Sequence, residues 1–168
     1  MIISGAVIAH KLLVDNQEIS DNVACQLPKI EIDTAEVKGA GILGTIEMPA
    51  TGQLGSMVIK MDFRATNKNI AGLAKNGKQN LELRFVKDTV TATGSVAPEG
   101  SKIFATGIVK NYDLGKVEDN STQECSFEFE ILRYRQVTAG KEVLLIDKQN
   151  YIYKINGVDY MQQIRSLL

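Results

Sequence analysis

Cys125-Ser126-Phe127-Glu128-Phe129-Glu130-Ile131 is the stretch on which the fold class turns. Apolar and polar residues alternate without a break. A strand turns each successive side chain to the opposite face, so Cys125, Phe127, Phe129 and Ile131 share one side and Ser126, Glu128 and Glu130 the other. On a helix the same residues would scatter around the axis. The pattern recurs on both sides of this stretch. Met57, Ile59, Met61 and Phe63 alternate with Lys60, Asp62 and Arg64, and Leu81-Glu82-Leu83-Arg84-Phe85 alternates as cleanly. Ala24 to Thr34, Lys102 to Lys110, Glu142 to Asp147 and Tyr151 to Ile155 are further strand candidates. One buried face and one wet face per strand favours antiparallel pairing.

Two short helices interrupt the strands. Asn67 can cap a helix carrying Ile70, Ala71, Leu73 and Ala74, with Gly77 placed to end it. Near the C-terminus, Asn156-Gly157 makes a turn and Asp159 suits a first helical turn. Met161, Ile164 and Leu168 follow at helical spacing. The pattern predicts a mainly β fold of two packed antiparallel sheets, a β-sandwich or barrel, with one or two short flanking α-helices. Two segments read as loops. Val96 to Gly100 contains Pro98, and Val37 to Gly55 contains five other glycines or prolines before Gly55: Gly39, Gly41, Gly44, Pro49 and Gly52. The second is long for a compact domain, and loops of that length are usually functional or disordered.

Composition narrows the function classes. The length of 168 residues suits one domain, 1–168, large enough to bury a core without staples. The net charge of −1 supplies no global field for gathering nucleic acid. Trp is absent and aromatics are 6%, which disfavours stacking platforms for single strands. Cys25 and Cys125, far apart and without neighbouring His, read as small core residues. They cannot complete the roughly four ligands of a structural zinc site. The opening Met1 to Ala9 lacks a basic region, so it is a poor signal peptide, and no stretch approaches the ~20 apolar residues of a membrane span. These readings predict a protein with no membrane anchoring, made in a reducing cytoplasm.

Chemical motifs fail on context. Gly39-Ala40-Gly41-Ile42-Leu43-Gly44 matches G-x-G-x-x-G, but a dinucleotide site needs a helix starting within it, and Pro49 leaves no room. Gly72 to Gln79 nearly matches a P-loop, but Gln79 replaces the magnesium-binding hydroxyl and a strand follows. His10 is the only histidine, and no nucleophile can be tied to it. Glu124, Glu128 and Glu130 share strand parity. Paired carboxylates can hydrolyse glycosides, yet a spaced row on a strand face is more simply a wet face. No catalytic residue, cofactor site or metal site is assigned.

The most specific segment lies at the C-terminal end: Gly140-Lys141-Glu142, Ile146-Asp147, Asn156-Gly157-Val158-Asp159, then Gln162-Gln163-Ile164-Arg165. Together with Leu27-Pro28-Lys29 and Lys38-Gly39-Ala40-Gly41-Ile42-Leu43-Gly44, it resembles the major tail tube proteins of contractile-tailed (myovirus-type) phages and R-type tailocins. The resemblance covers both ends, about half of the chain. It implies a structural subunit with no enzymatic activity. Six such subunits would form a ring whose strands join into one barrel, and rings would stack into the inner tube of a virion tail or tailocin particle, assembled in the host cytoplasm. It also implies partners: the chain itself, the tail sheath protein, baseplate and tail terminator proteins, and transiting DNA read without sequence specificity. The competing class is a small β-barrel ligand- or carbohydrate-binding module, which would need a concave aromatic site.

Within a tube, two sets of residues acquire expected roles. The polar faces of Cys25 to Asp33, Met57 to Arg64 and Glu124 to Arg133 would line the channel, placing Lys29, Glu31, Asp33, Lys60, Asp62, Arg64, Glu124, Glu128 and Glu130 there. On Lys102 to Lys110 the parity is mixed, because Lys102, Thr106 and Lys110 alternate in phase with Phe104 and Ile108. The alternative, that these faces form an outer wall against the sheath, stays open. The segment at about 37–55 would be an assembly loop, with Gly39, Gly41, Ile42, Leu43, Gly44, Met48 and Pro49 meeting neighbouring subunits.

Overall fold

Two long strands, β8 (Val96–Asp113) and β9 (Cys125–Thr138), form the spine of the molecule. They pair antiparallel from Ser101↔Thr138 to Asp113↔Ser126, and both run through two layers. The register slips between Thr106 and Gly107, where Leu132 is the extra residue on β9. A bulge of this kind bends a strand and lets it pass from one sheet to the other. Gly107 is required at the bend: a Cβ there would lie 3.0 Å from the Glu130 carbonyl oxygen and 2.9 Å from Ile131 Cδ1.

Each end of the spine gathers its own neighbours. The computed structural model describes residues 1–168 and adds β1 (Ile3–Val14), β2 (Gln17–Ile19), β3 (Asn22–Gln26), β4 (Ile32–Lys38), β5 (Thr45–Leu54), β6 (Val58–Phe63) and β7 (Gln79–Val90) before the spine. After it come β10 (Lys141–Asp147), β11 (Ile152–Ile155) and β12 (Val158–Asp159). The N-terminal half of β8 carries β7, β1 and β2, and the C-terminal half of β9 carries β10, β11 and β12. The N-terminal half of β9 carries β6 and then β3. All ten strands are hydrogen-bonded as one antiparallel sheet folded into two layers, while β4 and β5 form a separate two-stranded sheet. The fold is mainly β with few short helices, as the alternation predicts.

The apolar parities meet between the layers. Leu12, Leu81 and Ile103 from one layer pack on Ile59, Met61, Phe63, Phe127 and Phe129 from the other. Phe63 and Phe127 meet edge to face, with ring centroids 5.9 Å apart. Each such side chain contributes about 1.5–3 kcal/mol on burial. Cys125 is in this core and Cys25 is half-buried at its margin, both as free thiols.

Both helices form, and both are shorter than their periodicity predicts. Asn67 caps α1 (Lys68–Ala71), its side-chain oxygen accepting from the Asn69 and Ile70 amides at 3.0 Å. The chain then tightens into a 3-10 turn at Gly72–Ala74, which buries Leu73 beside Ile70. The second helix, α2, spans Gln162–Leu167. Asp159 precedes it, in β12, where its carboxylate accepts from the Met161 amide and pairs with Arg165. No helix is long and apolar enough to cross a membrane.

Three sequence expectations need correction. Ala24 to Thr34 is two strands, because Pro28 lacks the amide a continuous ladder needs. Val96 to Gly100 is strand, opening β8, and the true turn is Thr91–Ser95, where Gly94 takes φ +82°. Val37 to Gly55 is no irregular loop either: it holds most of a β-hairpin, β4 and β5, paired from Lys38↔Thr45 to Thr34↔Pro49 and again at Ile32↔Leu54. Pro49 is tolerated because every strand of a two-stranded sheet has an open edge. The glycines hid the alternation of Ile46 and Met48 from a reading by composition.

Candidate assembly surface

The outer face of the layer made by β3, β6, β9 and β8 collects the polar parities into rows. Gln26, Lys60, Glu128 and Asn111 stand opposite one another across the four strands. A second row runs Ala24, Asp62, Ser126 and Asp113. Val58, Glu130 and Ile108 make a third. Side chains directly opposite on neighbouring strands lie close enough to interact, and several do. Asn111 Nδ2 donates to Glu128 at 2.9 Å. Ser56 Oγ donates to both oxygens of Glu130, and Lys110 Nζ stands 3.5 Å from it. Acidic groups on this face, Asp62, Asp113, Glu128 and Glu130, outnumber the basic ones, Lys60 and Lys110.

The third strand looked mixed because Phe104, under the Arg135 guanidinium, and Ile108 stand on its outer parity with Lys102 and Thr106; a second bulge follows between Val109 and Asn111. It resets the parity, so that Asn111 and Asp113 join the polar face although Val109 packs on the core. No signal in the sequence marks that slip, and Asn111 and Asp113 were missed for that reason.

The sequence-predicted residues divide as follows. Lys60, Asp62, Glu128 and Glu130 come together on this face. Arg64 lies just past β6 and is held by Asp21 at 3.2 Å. Glu124 precedes β9 with φ +57°, its amide donating to the Arg64 carbonyl, so it is no part of the strand row. Lys29, Glu31 and Asp33 lie off this layer altogether, in the connector and at the start of the hairpin, because Pro28 ended the strand. Lys29 pairs with Glu31 at 2.8 Å, which holds the Glu31 carboxyl below its usual range and lifts the Lys29 ammonium above its own.

The layer has two unpaired edges. β3 bonds only to β6. On β8, pairing with β7 stops at Gly107, so Ile108 to Asp113 bonds only to β9. Unpaired edges are templates for strand addition.

The hairpin projects from the body. Gly39, Gly41 and Gly44 take φ values of +131°, +86° and +84° in its tip, and Leu43 there is fully exposed. Ile42 is half-buried, its amide donating to the Gly39 carbonyl. Met48 and Pro49 sit exposed on β5. The base of the hairpin is anchored. Lys148 Nζ donates to the Gly55 carbonyl at 2.6 Å, and the Gly55 amide donates to the Glu31 carbonyl at 2.8 Å. Gly52 (φ +70°) lies flat against the buried Met161, with a hypothetical Cβ only 2.3 Å from its Sδ.

An edge-open sheet with an acid-rich face and a protruding hairpin suits assembly. One solved structure with a similar chain is titled "Cryo-EM structure of the anti-feeding prophage (AFP) baseplate, 6-fold symmetrised": 10% identity, TM-score 0.46, covering 82% of this chain and 99% of that one. No curated protein matches the chain. The family model described as phage tail tube protein FII matches residues 6–168. That match includes the middle of the chain, which the resemblance at its two ends did not cover. The chain is therefore a member of the phage tail tube protein FII family, a structural component of the phage tail.

Proposed function

We propose that the protein forms stacked hexameric rings, the inner tube of a contractile phage tail or phage-tail-like particle. The observation that carries this reading is the layer β3-β6-β9-β8 with both edges open. Its four strands alternate in direction, so β3 and β8 run antiparallel to each other. When identical copies are placed side by side around a rotation axis, β3 of one copy meets Ile108 to Asp113 of the next with antiparallel polarity. The sheet then continues from copy to copy. A head-to-tail contact that closes yields a ring with no free edge.

In that barrel the polar rows line the channel. Asp62, Asp113, Glu128 and Glu130 repel phosphates that Lys and Arg would bind, so DNA slides without sequence-specific holding. The hairpin reaches the adjacent ring, which gives the exposed Leu43, Ile46 and Met48 a surface to cover. The remaining outer surface serves the sheath, and the tube's two ends the baseplate and tail terminator proteins. The whole chain acts as one tail-tube domain in a virion tail or tailocin particle built in the host cytoplasm.

Negative-stain electron microscopy of the purified protein at high concentration tests the reading. Rings or tubes are expected. A strictly monomeric species at every salt and protein concentration, with no binding to tail components, would refute it.

A further inference from the structure

At the margin of the core, between β3 and the β1–β7 pair, the two layers do not close. Val7, Val23, Cys25, Leu27, Leu83 and Phe85 line an open cavity of about 270 Å3 there. Its lining is apolar, and the polar groups at its rim are His10 and Asn22, bonded to each other at 3.0 Å. Val7 and Val23 are each more than half exposed. The volume equals roughly nine waters of bulk liquid, room for one phenol ring.

The opposite edge of the same layer carries a matching shape. Tyr112 belongs to the core-facing parity of β8 and stacks on Phe127, with centroids 5.4 Å apart, yet it is 52% exposed because nothing lies beyond it. The core-facing row through it runs Tyr112, Phe127, Met61, Cys25 across the four strands. One end of that row is therefore a protruding aromatic ring, and the other opens into the apolar cavity.

We propose that Tyr112 of one copy plugs the cavity beside Cys25 of the next, so that the seam between copies is sealed by a side chain as well as by strand pairing. The inference rests on the ring reading above and adds to it the residue that completes the core. If the sheet continues across the seam, the next position in the row after Cys25 is the neighbour's Tyr112. A register shift of two residues keeps the ring on the core side, whereas an odd shift would turn it into the channel. A tyrosine fits both halves of the site: its ring covers the apolar lining and its hydroxyl meets the polar rim at His10 and Asn22.

The test uses the native thiol. Tyr112→Cys is made in a Cys125→Ala background, which leaves Cys25 as the only other thiol. Within one copy the two sulfurs are three strands apart, about 14 Å at ~4.8 Å per strand, too far to bridge. Across the proposed seam their Cα atoms stand at about 4.5–5.5 Å, within disulfide range. Mild oxidation of the assembled protein is expected to give a ladder of covalent multimers on a non-reducing gel, absent when Cys25→Ser is added. Leu27→Glu, a change at the exposed lip of the cavity, is expected to raise the concentration needed for assembly roughly tenfold with the thermal midpoint little changed. Rings without a ladder, either from Cys25 or from a thiol at Val23→Cys, would overturn the plug while leaving the ring reading intact. Failure of the wild-type protein to form rings would overturn both.

Discussion

Gly52→Ala should loosen the hairpin without unfolding the body. Two costs act at that position. The backbone is left-handed, φ +70°, which costs a residue bearing a Cβ about 1–2 kcal/mol. The new Cβ would stand 2.3 Å from Met161 Sδ and 2.5 Å from its Cε, so the thioether must leave its buried seat. Overpacking of this kind costs about 1–3 kcal/mol. The sum, roughly 2–5 kcal/mol, falls on a two-stranded hairpin whose register already slips between Ile32 and Thr34 beside this residue. The large core between the layers is untouched. Hydrogen exchange at the β4 and β5 amides should therefore rise by more than tenfold, tubes should fail to form, and the body's thermal midpoint should move little. A double-mutant cycle separates the two costs. Met161→Ala removes the clash but not the dihedral strain, so Gly52→Ala should cost about 1–3 kcal/mol less in that background. Additive effects, or unchanged hairpin protection, would mean that Met161 does not hold the hairpin through Gly52.

Other perturbations have expected outcomes. Glu128→Lys with Glu130→Lys breaks the Lys110 contact and the Ser56 and Asn111 hydrogen bonds, all partly exposed, so about 1–2 kcal/mol of stability is lost and the fold persists. Assembled tubes should then retain DNA with a steep salt dependence, measured by binding across a salt series, whereas wild-type tubes should not. The Arg165 guanidinium and the Met161 amide hold the Asp159 carboxyl below its usual range. A depressed carboxyl stabilises the fold above its unfolded value, ~3.9, and that stability is lost as pH falls through the folded value. Asp159→Asn should cost about 1 kcal/mol at neutral pH, a fall in midpoint of roughly 2–4 °C, and the gap to wild type should close in thermal melts below about pH 4.

Period-two alternation located β6, β7 and β9, because a half-buried strand must separate its faces residue by residue. It failed where something other than burial set the pattern. β1 is exposed along most of its length, so Ile3 to His10 carry no core parity to read. The hairpin was obscured for the same reason: β4 and β5 pair with each other and not with the core, and their glycines answer to turn geometry. Of the polar face, Lys60, Asp62, Glu128 and Glu130 were legible from strand parity. Asn111 and Asp113 depend on a bulge that only pairing reveals, and Lys29, Glu31 and Asp33 were lost to the break at Pro28. The open edges of β3 and β8 are a property of topology, which one strand's pattern does not contain.

The most direct test is a cryo-electron-microscopy reconstruction of the assembled protein. Six copies per ring are expected, with β3 of each beside Ile108 to Asp113 of the next and Glu128 and Glu130 on the channel wall. A reconstruction with both glutamates on the outer wall, or with β3 unpaired at its free edge, would contradict this arrangement.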